Sequence, residues 1–347
     1  MGAQSIGERL EGSTREVLQV GVLERIALLP LIRSSRLRIP IAGLVVASPP
    51  LIACLVQTLA GDRIGWFTWM TAAIYGLLVM TMVLGARWAW ESFIRLGADM
   101  DAILGESDRA SVIGWLNRAL AQTPQALAAV VGVAGSSWVA IKLTGPLGES
   151  YLEDGNIAYV ITIGWTGGVG ALTGYWLWGA PAMFYPLSHT HRPKLDWVAP
   201  LQTPAIQKAS RLLIESARLA SIGLFLFTIP IAITLAVASG EWSVWAMSIS
   251  PIVFSIATIL GCSVLPQIAL GDLVRRGKRQ TLDVLRPQLP PPEILFADAK
   301  PETLEAVTVY ERLANTPVSL IDLRRIAEDF LLLLSAAGPI LIALLTR

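Results

Sequence analysis

The chain has 347 residues, 54% of them hydrophobic and only 15% charged, with a formal net charge of +1. A soluble domain carries about 25% charged residues, so a wholly water-exposed globule is not expected, and so small a net charge offers nothing to nucleic acid or another polyanion. Two cysteines exclude a disulfide framework. Both fall in apolar stretches, where free thiols pack as small hydrophobes.

The first segment, Met1–Arg38, is too long and polar for an ordinary cleaved signal. Its start, MGAQSI, has Ile6 where a myristoylation signal needs Ser or Thr. The stretch STREVLQVGVLERIALLPLI reads as a helix capped by Ser13 or Thr14. Val17, Val20, Leu23, Ile26 and Leu29 recur at threes, which drifts around a helix of 3.6 residues per turn. Such a segment is weakly amphipathic; it is compatible with lying on a membrane surface without demanding it.

Long apolar blocks follow: Ile39–Ala60, Trp66–Leu84, Gln125–Leu143, Ile157–Trp178, Leu219–Ser239 and Val244–Ile268. Apolar runs of this length read as spanning helices. A seventh, Phe330–Thr346, is at the short end of the range. The connections Gly61–Gly65, Thr144–Asn156 and Gly240–Ser243 are short, which pairs the spans as antiparallel hairpins. Three hairpins with similar basic flanks read equally well as a weak threefold repeat or as ordinary charge bias.

Lys and Arg number six in Met1–Arg38, four in Gly85–Pro124, five in Gly179–Arg218 and nine in Ala269–Asp329. Only Arg63, Lys142 and Arg347 fall on the other side. Under the positive-inside rule the N-terminus is cytoplasmic, in the inner membrane. Trp66, Trp69, Trp242 and Trp245 then mark the outer interface, and Trp88, Trp90, Trp176 and Trp178 the inner one. Trp138 and Trp165 break this pattern.

The expected fold is all-α: a polytopic integral membrane protein with six to seven transmembrane helices, as three hairpins plus a C-terminal span, with helical cytoplasmic segments. Its parts are an interfacial segment 1–38, a membrane domain 39–268 with helical loops 85–124 and 179–218, a cytoplasmic segment 269–329 with a Pro-rich connector, and a short span 330–347. The stretches after the second and sixth spans continue them as helix. Pro301 opens a further helix to about Ala314, and another starts near Ser319.

Function is read from backbone-breaking residues, because ionisable ones are essentially missing from the spans, Lys142 at the outer end of the third being the nearest. In VVASPPLIACL, Pro49 and Pro50 lie mid-span and deprive the carbonyls of Val45 and Val46 of helical donors. In hydrocarbon each unmet group costs several kcal/mol. The expectation is that Val45 and Val46 face protein or an aqueous cavity. Ser48, Pro49, Pro50, Pro230 and Pro251 are therefore the helix-break and pathway candidates, with Ser48, Thr228 and Ser250 placed to satisfy freed carbonyls. Pro339 breaks the last span in the same way.

The fourth span carries a close-packing face of Gly164, Gly167, Gly168, Gly170 and Gly174, within about 160° of arc at 100° per residue. The third span carries Ala128, Gly132, Gly135 and Ser136 in a matching stripe. These two helices are expected to pack face to face, or else to turn the glycines to a pore or another subunit. Ser136, Ser137, Trp138, Lys142, Thr162 and Thr166 are the polar and aromatic candidates for a lining. Lys142 snorkels or pairs with Glu149, Glu153 or Asp154.

His189 and His191 form an H-x-H pair near Asp196, too sparse for a metal site and read as loop polarity. Lys194, Lys208 and Arg211 read as headgroup-side charge. No nucleotide-binding, protease or hydrolase signature is present. The expected function is non-enzymatic: an oligomeric channel or a pore-forming or gating subunit with a helical sensing region, needing no cofactor or metal. A secondary transporter for a small solute, and a membrane anchor for a cytosolic partner, are the alternatives. Expected partners are the bilayer and further copies of the chain, not nucleic acid.

Overall fold

A computed structural model of the chain describes residues 5–28, 37–182, 186, 193–196, 199–237, 242–289 and 301–316. The short span Phe330–Thr346, Pro339, Ser319, both histidines and the body of the Pro-rich connector lie outside the described residues. The described part is helical, and its one β feature is an isolated antiparallel bridge between Ile64 and Glu153.

In chain order the helices are α1 (Ile6–Gly12), α2 (Leu18–Ala27), α3 (Arg38–Ala47), α4 (Pro49–Leu59), α5 (Trp66–Ile103), α6 (Glu106–Leu120), α7 (Gln122–Leu152), α8 (Asn156–Ala182), α9 (Pro204–Val237), α10 (Trp242–Leu285) and α11 (Pro301–Asn315). Five of them, α5, α7, α8, α9 and α10, are long and apolar enough to cross a membrane. α3 and α4, bent by 53° at their junction, make a sixth candidate if they count as one span. The described residues are therefore all-α, with five or six helices that could span a membrane.

α5 is the central post. It packs against α1, α2, α3, α4, α7, α8 and α9. Phe67, Ala72, Leu78, Val79 and Leu96 are fully buried, while Ala73, Leu77, Glu91, Arg95 and Ala98 leave one stripe of the helix exposed. The hairpin partners α7–α8 and α9–α10 pack along each other, and the broken pair α3/α4 packs on α5 and α8.

The two ends differ. At the basic end, α1, α2, α6 and the extensions of α5, α9 and α10 enclose a core of Ile6, Leu10, Val17, Trp90, Phe93, Met100, Leu116, Ile206 and Leu273. Asp101 orients the first helix by accepting the amides of Ile6 and Gly7, each at 3.0 Å, while its Oδ1 lies 3.0 Å from Arg109 Nε. Ion pairs Arg87–Glu24, Arg9–Glu16 and Lys208–Asp99 brace the surface. Lys278 donates to the carbonyls of Ala314 and Thr316 at 2.7 Å, capping the end of α11. Burial there lowers the Lys278 pKa from its ordinary value.

Several expectations change here. The N-terminal segment is not capped at Ser13 or Thr14: Ser5 caps α1 in a reciprocal box with Glu8, and α2 has no cap from its own N-cap residue, Val17. Its apolar residues Val17, Val20 and Leu23 are buried against the bundle, because α5 and α6 offer a larger apolar surface than a lone weak stripe. Thr144–Asn156 is not an open loop. Helix continues to Gly148, breaks there at φ 58°, and resumes to Leu152, since Leu143, Leu147 and Leu152 are all needed around Phe67 and Tyr159. Trp90 and Trp176 are not free rings: they meet edge-on, 5.7 Å apart, beside the basic-end core.

Candidate functional site

The joint in the first span begins with local chemistry. Two prolines in succession cannot continue a helix from Val45 and Val46, but both fit the first turn of a new one, where amides have no intrahelical partner anyway. α3 accordingly ends at Ala47, Ser48 is the hinge residue, and α4 starts at Pro49. The orphaned carbonyls are met by side chains. Ser48 donates its hydroxyl to Val45 O at 2.8 Å, and its amide reaches the same oxygen at 3.3 Å. Trp165 of α8 donates its indole N–H to Val46 O at 3.0 Å.

The expected environment holds for one valine and not the other. Val46 is buried against α5 and α8. Val45 is 48% exposed on the outside of the bundle. Its carbonyl needs neither protein nor water around it, because the Ser48 hydroxyl folds back onto it. Trp165, which the interface pattern left unexplained, thus has a structural task; its ring is 37% exposed beside the joint.

The other prolines behave differently. α9 runs through Pro230 and α10 through Pro251 and Pro266. Thr228 donates to Phe225 O rather than to Leu226 O, the carbonyl that Pro230 frees. Thr234 and Ser255 instead donate back to the proline carbonyls of Pro230 and Pro251, at 3.0 and 2.7 Å.

The glycine face divides into three parts. Gly164, Gly167 and Gly168 lie directly on α7, where an added Cβ would meet Ser137, Ser136 and Val133 respectively. Gly132 answers them from α7, against Ala171 and the Gly167 carbonyl. Gly170 looks toward Met82 of α5, and both Gly174 and Gly135 have open space. Close approach therefore uses three of the five glycines on α8 and only part of the stripe on α7.

The proposed lining residues are scattered. Ser136 donates to Gly132 O within its own helix, and Ser137 faces Gly164 in the α7–α8 seam. Thr162 and Thr166 are buried and donate to Ala158 O and Thr162 O, one turn back, at 2.7 and 2.8 Å. Trp138 and Lys142 point outward from α7, and Lys142 makes no ion pair with Glu153 or Asp154. These six do not meet around one cavity.

Polar residues that the sequence pattern gave no reason to single out are brought together instead. Gln125 is fully buried where three elements meet. Its carboxamide accepts from Leu18 N at 2.8 Å and donates to Glu16 O and Leu120 O at 3.0 and 3.1 Å. At the other end Gln57 accepts from Ala158 N at 2.8 Å and donates to Asp62 and to Asp154 O. Between the ends, Tyr75 stacks on Phe227 and donates to its carbonyl at 3.3 Å. The hydroxyls of Thr68, Thr71 and Ser248 are buried without a hydrogen-bond partner among the described residues.

Among the described residues no group of three or more His, Cys, Asp or Glu stands close enough to hold a metal ion. Asp196 Oδ1 accepts the Ala199 amide at 3.4 Å. Cys54 and Cys262 are free and buried. Comparison with family models, with curated proteins and with solved structures finds no match.

Proposed function

We propose that this protein forms or gates a permeation path across a membrane, with the joint between α3 and α4 as its moving part. The observation that carries this is the pair of carbonyls at Val45 and Val46, which are held by a serine hydroxyl and by an indole from another helix. A helix closed by backbone bonds must unwind to move. One closed by side chains changes angle when a rotamer changes, and broken helices of this kind line paths through membrane proteins. In the orientation that accompanies this reading, the basic end lies in the cytoplasm.

The test is flux through liposomes of phosphatidylcholine and phosphatidylglycerol carrying the purified full-length chain. Release of potassium or a small dye above empty vesicles is expected, with the rate altered several-fold by Trp165→Phe and unaltered by Trp138→Phe. No flux above empty vesicles would overturn the proposal. The broken span also supports a second reading, a secondary transporter, which saturable uptake of a single solute would distinguish from stepwise channel currents.

A further inference from the structure

We infer that the groove between α5 and α9 at the basic end is a binding site for one anionic phospholipid, its phosphate at Arg218 and an acyl chain running up the groove. Two helical stripes form the walls. α5 contributes Thr81, Leu84, Gly85 and Trp88, and α9 contributes Glu215, Arg218, Leu219 and Ile222. Each set follows i, i+3, i+4, i+7 spacing, so each is one face of its helix. The helices run antiparallel, which sets Thr81 and Ile222 at the apolar end and Trp88, Glu215 and Arg218 at the mouth.

Gly85 keeps the floor low: a Cβ there would stand in ordinary contact, 3.9 Å from Leu219 Cδ1, and a larger side chain would reach into the groove. Further along, the helices close up where Leu78 meets Gly223 and Tyr75 stacks on Phe227. The result is a blind groove of about 590 Å³, apolar within and open on its outer side. Its walls span about 10 Å of helix, enough for the first part of an acyl chain.

The mouth has an unbalanced charge. Glu215 is already bound by Arg211 at 2.7 Å. Arg218 is exposed and forms no ion pair among the described residues, and Trp88 donates no hydrogen bond there either. Two donors and one net positive charge thus border an apolar slot at the boundary between a span and its basic flank. A phosphodiester on a hydrocarbon chain matches that combination. The inference rests on the membrane class of the fold and is independent of permeation; a protein without flux can still hold this lipid.

The experiment is native mass spectrometry of the full-length chain in detergent, titrated with phosphatidylglycerol and with phosphatidylcholine of the same acyl chains. The first phosphatidylglycerol should bind roughly fivefold more tightly, the worth of one basic contact. Arg218→Gln should erase that preference, whereas Arg95→Gln should keep it. Gly85→Leu should remove the first bound lipid of either kind; if that variant is not monodisperse, Leu219→Trp serves to fill the same slot. Equal binding of the two lipids, or an unchanged preference in Arg218→Gln, overturns the inference. So does displacement of the lipid by an equal concentration of inorganic phosphate, which would mark a free-anion site.

Discussion

Trp165 concentrates the residue-scale argument. Its indole nitrogen is the donor that replaces the amide missing at Pro50, and it comes from a helix more than a hundred residues away. Trp165→Phe keeps the ring and removes only that donor. A carbonyl left unmet in a partly buried site costs about 1–3 kcal/mol, so the thermal midpoint in detergent should fall. Trp138→Phe, on an exposed ring with no such bond, should leave the midpoint in place. Gln125 makes the complementary point. A glutamine after Thr-Pro looks like an ordinary flank residue, and nothing in its neighbours announces that it will cap two elements at once. Its role depends on the chain returning to it from Leu18 on one side and Leu120 on the other.

At the scale of elements, the α7–α8 seam is where sequence pattern and packing can be compared position by position. Projection onto a helical wheel groups five glycines on one face, and three of them carry the contact. The wheel marks which residues share a side, but the crossing of the two helices decides where that side stays in touch. Gly167→Ala puts a methyl group against the Ser136 hydroxyl and should cost about 1–3 kcal/mol by overpacking. Gly174→Ala meets nothing within 4 Å and should change stability by no more than about 0.5 kcal/mol. Thermal unfolding of the two variants side by side in detergent measures the difference. Equal changes at the two positions would overturn the seam assignment, since helix propensity alone favours Ala over Gly at both.

At the scale of the whole molecule, two buried glutamines pin opposite ends of a bundle whose middle is held by apolar packing and a few hydroxyls. Charge is concentrated at one end, where the extended helices enclose their own core, and this predicts the sidedness of labelling. Cys54 and Cys262 are buried, so an impermeant maleimide should give little background with the native chain. In intact cells Asp62→Cys, at the end opposite the basic core, should label, and Glu106→Cys, at the start of α6, should label only after permeabilisation. The reverse result would invert the orientation that the charge bias implies.

The existence of the long apolar helices follows from the order of apolar residues along the chain, because in hydrocarbon a span must be long, apolar and internally hydrogen-bonded. The break at Pro49–Pro50 is legible for the same reason: proline removes a donor wherever it sits. What covers that break was decided only by tertiary structure, since the donor arrives from α8 and no local pattern encodes it. The same holds for the burial of the N-terminal helices, the continuation of α7 to Leu152 and the reach of Gln57 and Gln125. Hydrophobicity acts along the chain and can be read along it; hydrogen-bond partners are chosen by which helices end up side by side.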